Sequence, residues 1–294
     1  MKIVTTETGY SQNNLYLPAW NALEESQPRP MFGRALIEYD FNEFAENVKN
    51  QNSDFVKHIT ESLYAGDVYV LKRAFPKEFM ERVKRDVAEF WSKSPSSFHK
   101  MVEGCPDFHR IIDEAIAGNY SIKAIRHSGY FFPWNGDPLN LFPEVMKRWR
   151  VLKFVGGFAW DAYEKDTPKD GVVDRVQIAQ YTPQSSLVDH SDPYLNQRVF
   201  ISGYMSKRGV DYSEGGFYFV NSKKERVFVE DRIDVGDMGI GYATVIHGVE
   251  KIDPHKKRDW ADSAGRWFMG LYSNSTDEVK DRHTGYGVDL AKIK

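Results

Sequence analysis

Two histidines and one aspartate stand in a pattern that can hold a metal ion. His190 and Asp192 form an H-x-D triplet closing the segment QIAQYTPQSSLVDHSD, and His247 lies in a second segment, IHGVEKI. On a regular strand residues two apart point to the same side, so His190 and Asp192 can serve as adjacent ligands from one element. The third ligand must come from a different strand, which suits His247 at the end of the run GDMGIGYATVIH. Two imidazoles and a carboxylate make the facial set that holds non-haem Fe(II) and leaves coordination positions open, although the same set accepts other divalent ions. An H-x-D triplet also arises by chance, as a hydrogen-bonded surface pair, so its surroundings must decide. His58, His99, His109, His127, His255 and His283 sit in helical, loop or basic settings and read as structural or solvated.

The elements that would position these residues fall into two halves. Residues 1–40 are irregular and read as an N-terminal arm or lid. From Phe41 a helical pattern runs to about Tyr64, VYVLKRAF reads as a strand, and Pro76 opens a helix with Phe79, Val83, Val87 and Phe90 on one face. A short helix is expected at FHRIIDEAIAG, an aromatic edge strand around SIKAIRHSGYFFPWNGDP, and a longer helix from Leu141 to about Lys165. Beyond Arg175 short apolar runs alternate with turn-formers, as in an antiparallel sandwich or barrel. The whole chain, 1–294, reads as a single domain. Residues 41–170 form mainly helical support, 171–276 a β core carrying the metal site, and 277–294 a C-terminal tail.

The bulk composition narrows the class. With 39 basic and 42 acidic residues the net charge is −3, which offers no electrostatic case for a nucleic-acid partner. The lone Cys105 excludes an intrachain disulfide and fits a reducing compartment. The opening residues MKIVTTETGYSQNN lack the charged and apolar regions of a signal peptide, and no run is long and apolar enough to span a membrane. The expectation is a cytoplasmic protein without membrane partners.

The β half resembles the 2-oxoglutarate/Fe(II) oxygenase superfamily, in a version like the prolyl-4-hydroxylase group. The resemblance rests on Gln177, Tyr181-Thr-Pro183 and Leu187 ahead of His190 and Asp192, then on Glu214-Gly215-Gly216, Gly236-Asp237 and His247-Gly248-Val249. It covers about residues 175–275. It implies a mainly β fold, a double-stranded β-helix (jelly roll) with helices mostly in the N-terminal half. It also implies an enzyme that uses Fe(II), 2-oxoglutarate and O2 to oxidise a substrate C–H bond, most simply by hydroxylation, with release of succinate and CO2. His190, Asp192 and His247 would be the catalytic iron ligands. Arg266 would bind the far carboxylate of 2-oxoglutarate, a role that suits a guanidinium because it grips a carboxylate bidentately. Tyr181 would assist it, and Arg258 is a weaker rival. Arg266 lies nineteen positions beyond His247 (266 − 247), longer than the interval usual in that group, so a loop insertion over about 253–263 is implied. Related halogenases carry a small residue where Asp192 stands, so a carboxylate there argues against halogenation.

The substrate is the least legible part. Arg198, shortly after the triplet, is a candidate to reach a substrate anion, and the aromatic segment with Arg126 and His127 is a candidate to line the mouth of the site and meet the substrate. A small polar metabolite such as an amino acid or derivative is the first reading, a peptide or protein side chain the second, and a nucleic-acid base the third. The competitor from another class is a cupin-like barrel, an isomerase or binding protein, that holds metal without oxygen chemistry and ignores 2-oxoglutarate.

Overall fold

The computed structural model describes residues 13–164 and 171–293. Its thirteen strands form a curled, mostly antiparallel sheet folded into two layers, with helices packed behind one of them. The first layer runs in the order β3 (Phe108–Ile112), β4 (Ala124–Phe131), β5 (Val172–Tyr181), β12 (Arg266–Ser275), β7 (Val199–Tyr204), β10 (Met238–Tyr242), β2 (Val68–Lys72) and β1 (Leu36–Asp40). The second contains β13 (Tyr286–Gly287), β6 (Ser186–Ser191), β11 (His247–Glu250), β8 (Gly216–Val220) and β9 (Arg226–Phe228). Strand β4 joins the layers: His127–Phe131 pair with β5, while Ala124 and Ile125 pair with β6. The apolar core between and behind the layers holds fully buried Tyr181, Tyr204, Tyr242 and Trp267. This is the double-stranded β-helix expected from the sequence.

Several local readings change. Residues 1–12 lie outside the described residues, and residues 13–40 include a helix and a strand where an irregular arm was expected. Helix α1 (Tyr16–Ser26) buries Tyr16 and Trp20, and the Trp20 indole donates to the Val155 carbonyl at 2.7 Å. The helical pattern after Phe41 is two helices, α2 (Phe41–Asn50) and α3 (Ser53–Tyr64). Gln51 turns the chain at φ 49°, and the Asn52 side chain caps α3 by accepting from Asp54 and Phe55. Helix α4 (Lys77–Lys93) follows Pro76 as expected. FHRII is strand β3, not helix, because it pairs along its length with β4; α5 (Glu114–Ala117) is a single turn. Helix α6 (Phe142–Val155) stops ten residues short of Lys165, at Gly156 and at Gly157 in the left-handed region (φ 86°). The C-terminal tail contributes β13, whose Tyr286 and Gly287 pair with Ser191 and His190. Among the described residues no helix is long and apolar enough to cross a membrane.

Candidate metal centre

The two histidines are brought together by sheet register. His247 begins β11, after a turn beyond β10, and stands directly opposite His190 on β6. Their ring centroids are 4.3 Å apart. Asp192 lies just past the end of β6, where its backbone N–H donates to the Ala243 carbonyl at 3.0 Å. That bond carries the carboxylate round to face both rings: His190 Nε2 lies 3.7 Å from Asp192 Oδ1, and His247 Nε2 lies 3.7 Å from Asp192 Oδ2. Those separations are long for hydrogen bonds. Ligand atoms about 2.1 Å from one ion and at right angles to each other sit about 3 Å apart, so the cluster is a slightly open version of a shared coordination shell.

The tautomers suit metal binding as well. His190 Nδ1 lies 3.0 Å from the Val188 carbonyl and His247 Nδ1 lies 2.8 Å from the Val245 carbonyl, so each Nδ1 carries the proton and each Nε2 presents a lone pair. Burial, followed by the neighbouring His247, holds His190 well below its usual pKa and keeps it a neutral donor. Burial raises the pKa of Asp192, against the pull of His247, Arg126 and Arg175. All three ligand atoms lie within 4.8 Å of one another. The residues fit a divalent ion. Gly248 keeps the histidine strands in contact, since a Cβ there would meet the Tyr218 hydroxyl at 2.5 Å and the Leu187 carbonyl at 2.8 Å.

Beside the cluster a narrow recess of about 20 Å³ runs into the barrel, walled by the three ligand residues, Tyr181, Phe268 and Arg266. Arg266 is paired with Tyr181 across β12 and β5, and each is at most 2% exposed. Its Nε donates to Glu230 Oε1 at 2.8 Å; the same oxygen accepts from the Phe217 N–H, and the Tyr212 hydroxyl donates to Oε2. Gly216 (φ 130°) makes room for this anchor, because a Cβ there would overlap Glu230 Cγ. The Tyr181 hydroxyl accepts from Arg126 Nη1 at 3.1 Å.

A wider cavity of about 200 Å³ opens outward past His190 and Asp192, lined also by Arg126, Arg175, Gln177, Tyr272 and the segment Arg282–Gly285. Arg126 is therefore at the site. Arg198 is not among its lining residues: Nε bonds Glu24 at 2.9 Å and Nη1 bonds the Gly156 carbonyl at 2.9 Å, so it ties α1 and the end of α6 to the barrel. Arg258 is likewise held elsewhere, by Glu114 and the carbonyls of Pro183 and Gln184. His109 and His127 bond each other at 2.8 Å, and the His127 ring stacks on Trp91, as structural histidines. Arg175, Glu230, Tyr272 and His283 were not anticipated. Strand alternation carries a signal for two of them, since Arg175 shares a face of β5 with Gln177 and Tyr181, and Tyr272 shares a face of β12 with Arg266. Glu230 opens the short 3-10 turn Glu230–Arg232 and His283 lies in an irregular segment, neither with such a signal.

No family model matches the chain, and no curated protein does. Solved structures do. A C-terminally truncated protein from Neurospora crassa, solved in apo form, aligns with a TM-score of 0.50 at 12% identity, covering 93% of this chain and 98% of that one. The full-length form of that protein has been solved in complex with alpha-KG, which is 2-oxoglutarate. A Pseudomonas putida prolyl-4-hydroxylase aligns at 0.45 and 9% identity, over 70% and 91%. A 2OG-Fe(II) oxygenase family protein from Burkholderia pseudomallei aligns at 0.40 and 12%, over 83% and 94%. At such identity what the chain shares with the Neurospora crassa protein, along nearly its whole length, is the fold.

Proposed function

We propose that the protein is an Fe(II)- and 2-oxoglutarate-dependent dioxygenase that oxidises a C–H bond of a small polar metabolite, such as an amino acid or derivative. The observation that carries this reading is the convergence of His190, Asp192 and His247 at the mouth of a recess whose wall includes a buried arginine. Iron chelated by 2-oxoglutarate would supply the oxidation of the substrate, with release of succinate and CO2. The chain's own residues have distinct parts. The Val188 and Val245 carbonyls fix both imidazoles as Nε2 donors. Asp192 supplies the anionic ligand from the strand end. Arg266 receives the far carboxylate of 2-oxoglutarate, with the Tyr181 hydroxyl beside it. The recess as it stands admits about one water, so the diacid must part its side-chain walls as it enters. Tyr181 and Phe268, with rings stacked at 5.9 Å, then close around its chain and exclude solvent.

The test is spectroscopic. Fe(II) and then 2-oxoglutarate are added to the purified protein without oxygen, and the visible spectrum is recorded. A metal-to-ligand charge-transfer band is expected only with both present. It should vanish in His190→Ala and weaken in Arg266→Ala. Metal binding with no band on addition of 2-oxoglutarate would reject the oxygenase reading in favour of a metal-binding cupin.

A further inference from the structure

The outer cavity has an unbalanced charge. Arg126 and Arg175 both line it, and Asp192 is the one acidic residue among its described lining residues. Arg282, at the rim, is already matched by an ion pair with Asp277. Neither Arg126 nor Arg175 makes an ion pair with a carboxylate among the described residues. Arg126 donates to the Tyr181 hydroxyl, and Arg175 donates from Nη1 to Met101 Sδ at 2.9 Å and from Nη2 to Gln177 Oε1 at 3.0 Å. The Nε atoms of both are buried without any hydrogen-bond partner. Arg175 is held in place by aromatic faces on the two neighbouring strands: its guanidinium lies 5.2 Å from the Tyr130 ring centroid and 5.0 Å from that of Tyr272. These are ordered, weakly solvated cations pointing at a cavity beside the metal ligands. Such groups are retained in a fold when something anionic completes them.

Charge bookkeeping says what that anion is. On the function proposed above, on which this step rests, divalent iron and doubly charged 2-oxoglutarate cancel. Arg266 is balanced by Glu230, and Asp192 offsets one of the two outer arginines. One positive charge is left. We infer that the substrate is a small monoanion whose carboxylate is gripped between Arg126 and Arg175, with its reactive carbon held toward the metal. The cavity of about 200 Å³ fits a molecule of amino-acid size. A dianionic phosphate would leave the site negative, and a neutral molecule would leave it positive. A planar carboxylate also matches the fork of a guanidinium.

The test loads the protein with Mn(II) and 2-oxoglutarate, which bind without turnover, and measures affinity calorimetrically. The probes are N-acetylated amino acids, each as the free carboxylate and as its primary amide, with inorganic phosphate alongside. At least one acid is expected to bind while its amide does not. Arg175→Gln should weaken that acid about ten- to a hundredfold, as loss of a charge-assisted contact does, and leave 2-oxoglutarate affinity within about twofold. Arg175→Lys, which keeps the charge on a similar stem, should retain part of the affinity and shows that the fold survives. The inference is overturned if no acid binds, if amides or phosphate bind as well as acids, or if Arg175→Gln weakens 2-oxoglutarate as much as the acid. Failure of 2-oxoglutarate itself to bind the Mn(II) protein would instead overturn the proposed function.

Discussion

The buried Arg266–Glu230 pair allows co-substrate binding and stability to be separated by one substitution. Glu230→Gln keeps the size of the side chain and one acceptor oxygen but removes the charge that faces Arg266. The two side chains are 3% and 0% exposed, so the arginine left behind has no solvent to screen it. Breaking a buried pair in this way costs about 3–5 kcal/mol. At this chain length about 2 °C of melting temperature corresponds to each kcal/mol, so the variant should melt roughly 6–10 °C below the parent. If Arg266 faces the far carboxylate of 2-oxoglutarate, that carboxylate restores the missing charge. Scanning calorimetry with Mn(II), with and without 2-oxoglutarate, should then show the ligand raising the variant's melting temperature by more than it raises the parent's. The double variant Arg266→Met, Glu230→Gln, which removes the unpaired charge but keeps an acceptor for the Phe217 N–H and the Tyr212 hydroxyl, should regain most of the stability yet lose the response to 2-oxoglutarate. Equal ligand shifts in parent and Glu230→Gln, or a variant melting within a degree or two of the parent, would refute the placement of Arg266 as the carboxylate anchor.

Two further outcomes follow from the same packing. Burial, together with His109, pushes His127 down to about 3, whereas the unfolded chain protonates near 6.5, so its contribution to stability is present above about pH 6.5 and is lost as pH falls toward 3. Between pH 6.5 and 5 that amounts to about 2 kcal/mol, and His127→Phe, which keeps the stack on Trp91, should lose less stability than the parent over this interval in urea titrations; parallel losses would reject the assignment. Arg198→Met should destabilise the fold by about 1–3 kcal/mol, because it removes the tie to the Gly156 carbonyl and leaves Glu24 (15% exposed) with only the Tyr242 hydroxyl and the longer Arg29 contact at 3.5 Å, while the 2-oxoglutarate-dependent band stays intact; a weakened band at unchanged stability would return Arg198 to the site.

The parts of the fold that were legible in the sequence are those where a local pattern and the tertiary outcome agree. The β half announced itself because its short apolar runs are each bounded by turn residues, and α4 because its apolar residues Val83 and Val87 repeat at helical spacing and are buried. The misread elements are those decided by distant partners. FHRII became a strand because β4 was available to pair with it, and β4 begins only beyond α5, outside the window in which a helical period is read. Helix α1 is stabilised by contacts that cross the chain, from Trp20 to Val155 and from Glu24 to Arg198, so the local sequence shows only an irregular, proline-bearing segment.

The site divides along the same line, and the arginines show why. His190, Asp192 and His247 were identifiable because chemistry restricts which residue types can bind a metal and a strand end supplies two of them together. An arginine carries no such restriction: Arg126, Arg175, Arg198 and Arg266 are equal in type, and their roles differ only in what neutralises them. Arg198 has Glu24, brought from α1; Arg266 has Glu230, brought from the loop after β9; Arg126 and Arg175 have no carboxylate of their own among the described residues. Strand parity could have placed Arg175 on the cavity face with Tyr181, but parity cannot report which acids arrive from elsewhere in the chain. The arginines without an ion pair beside His190 and Asp192 are therefore a property of the folded molecule alone, and they are the feature on which the proposed substrate class rests.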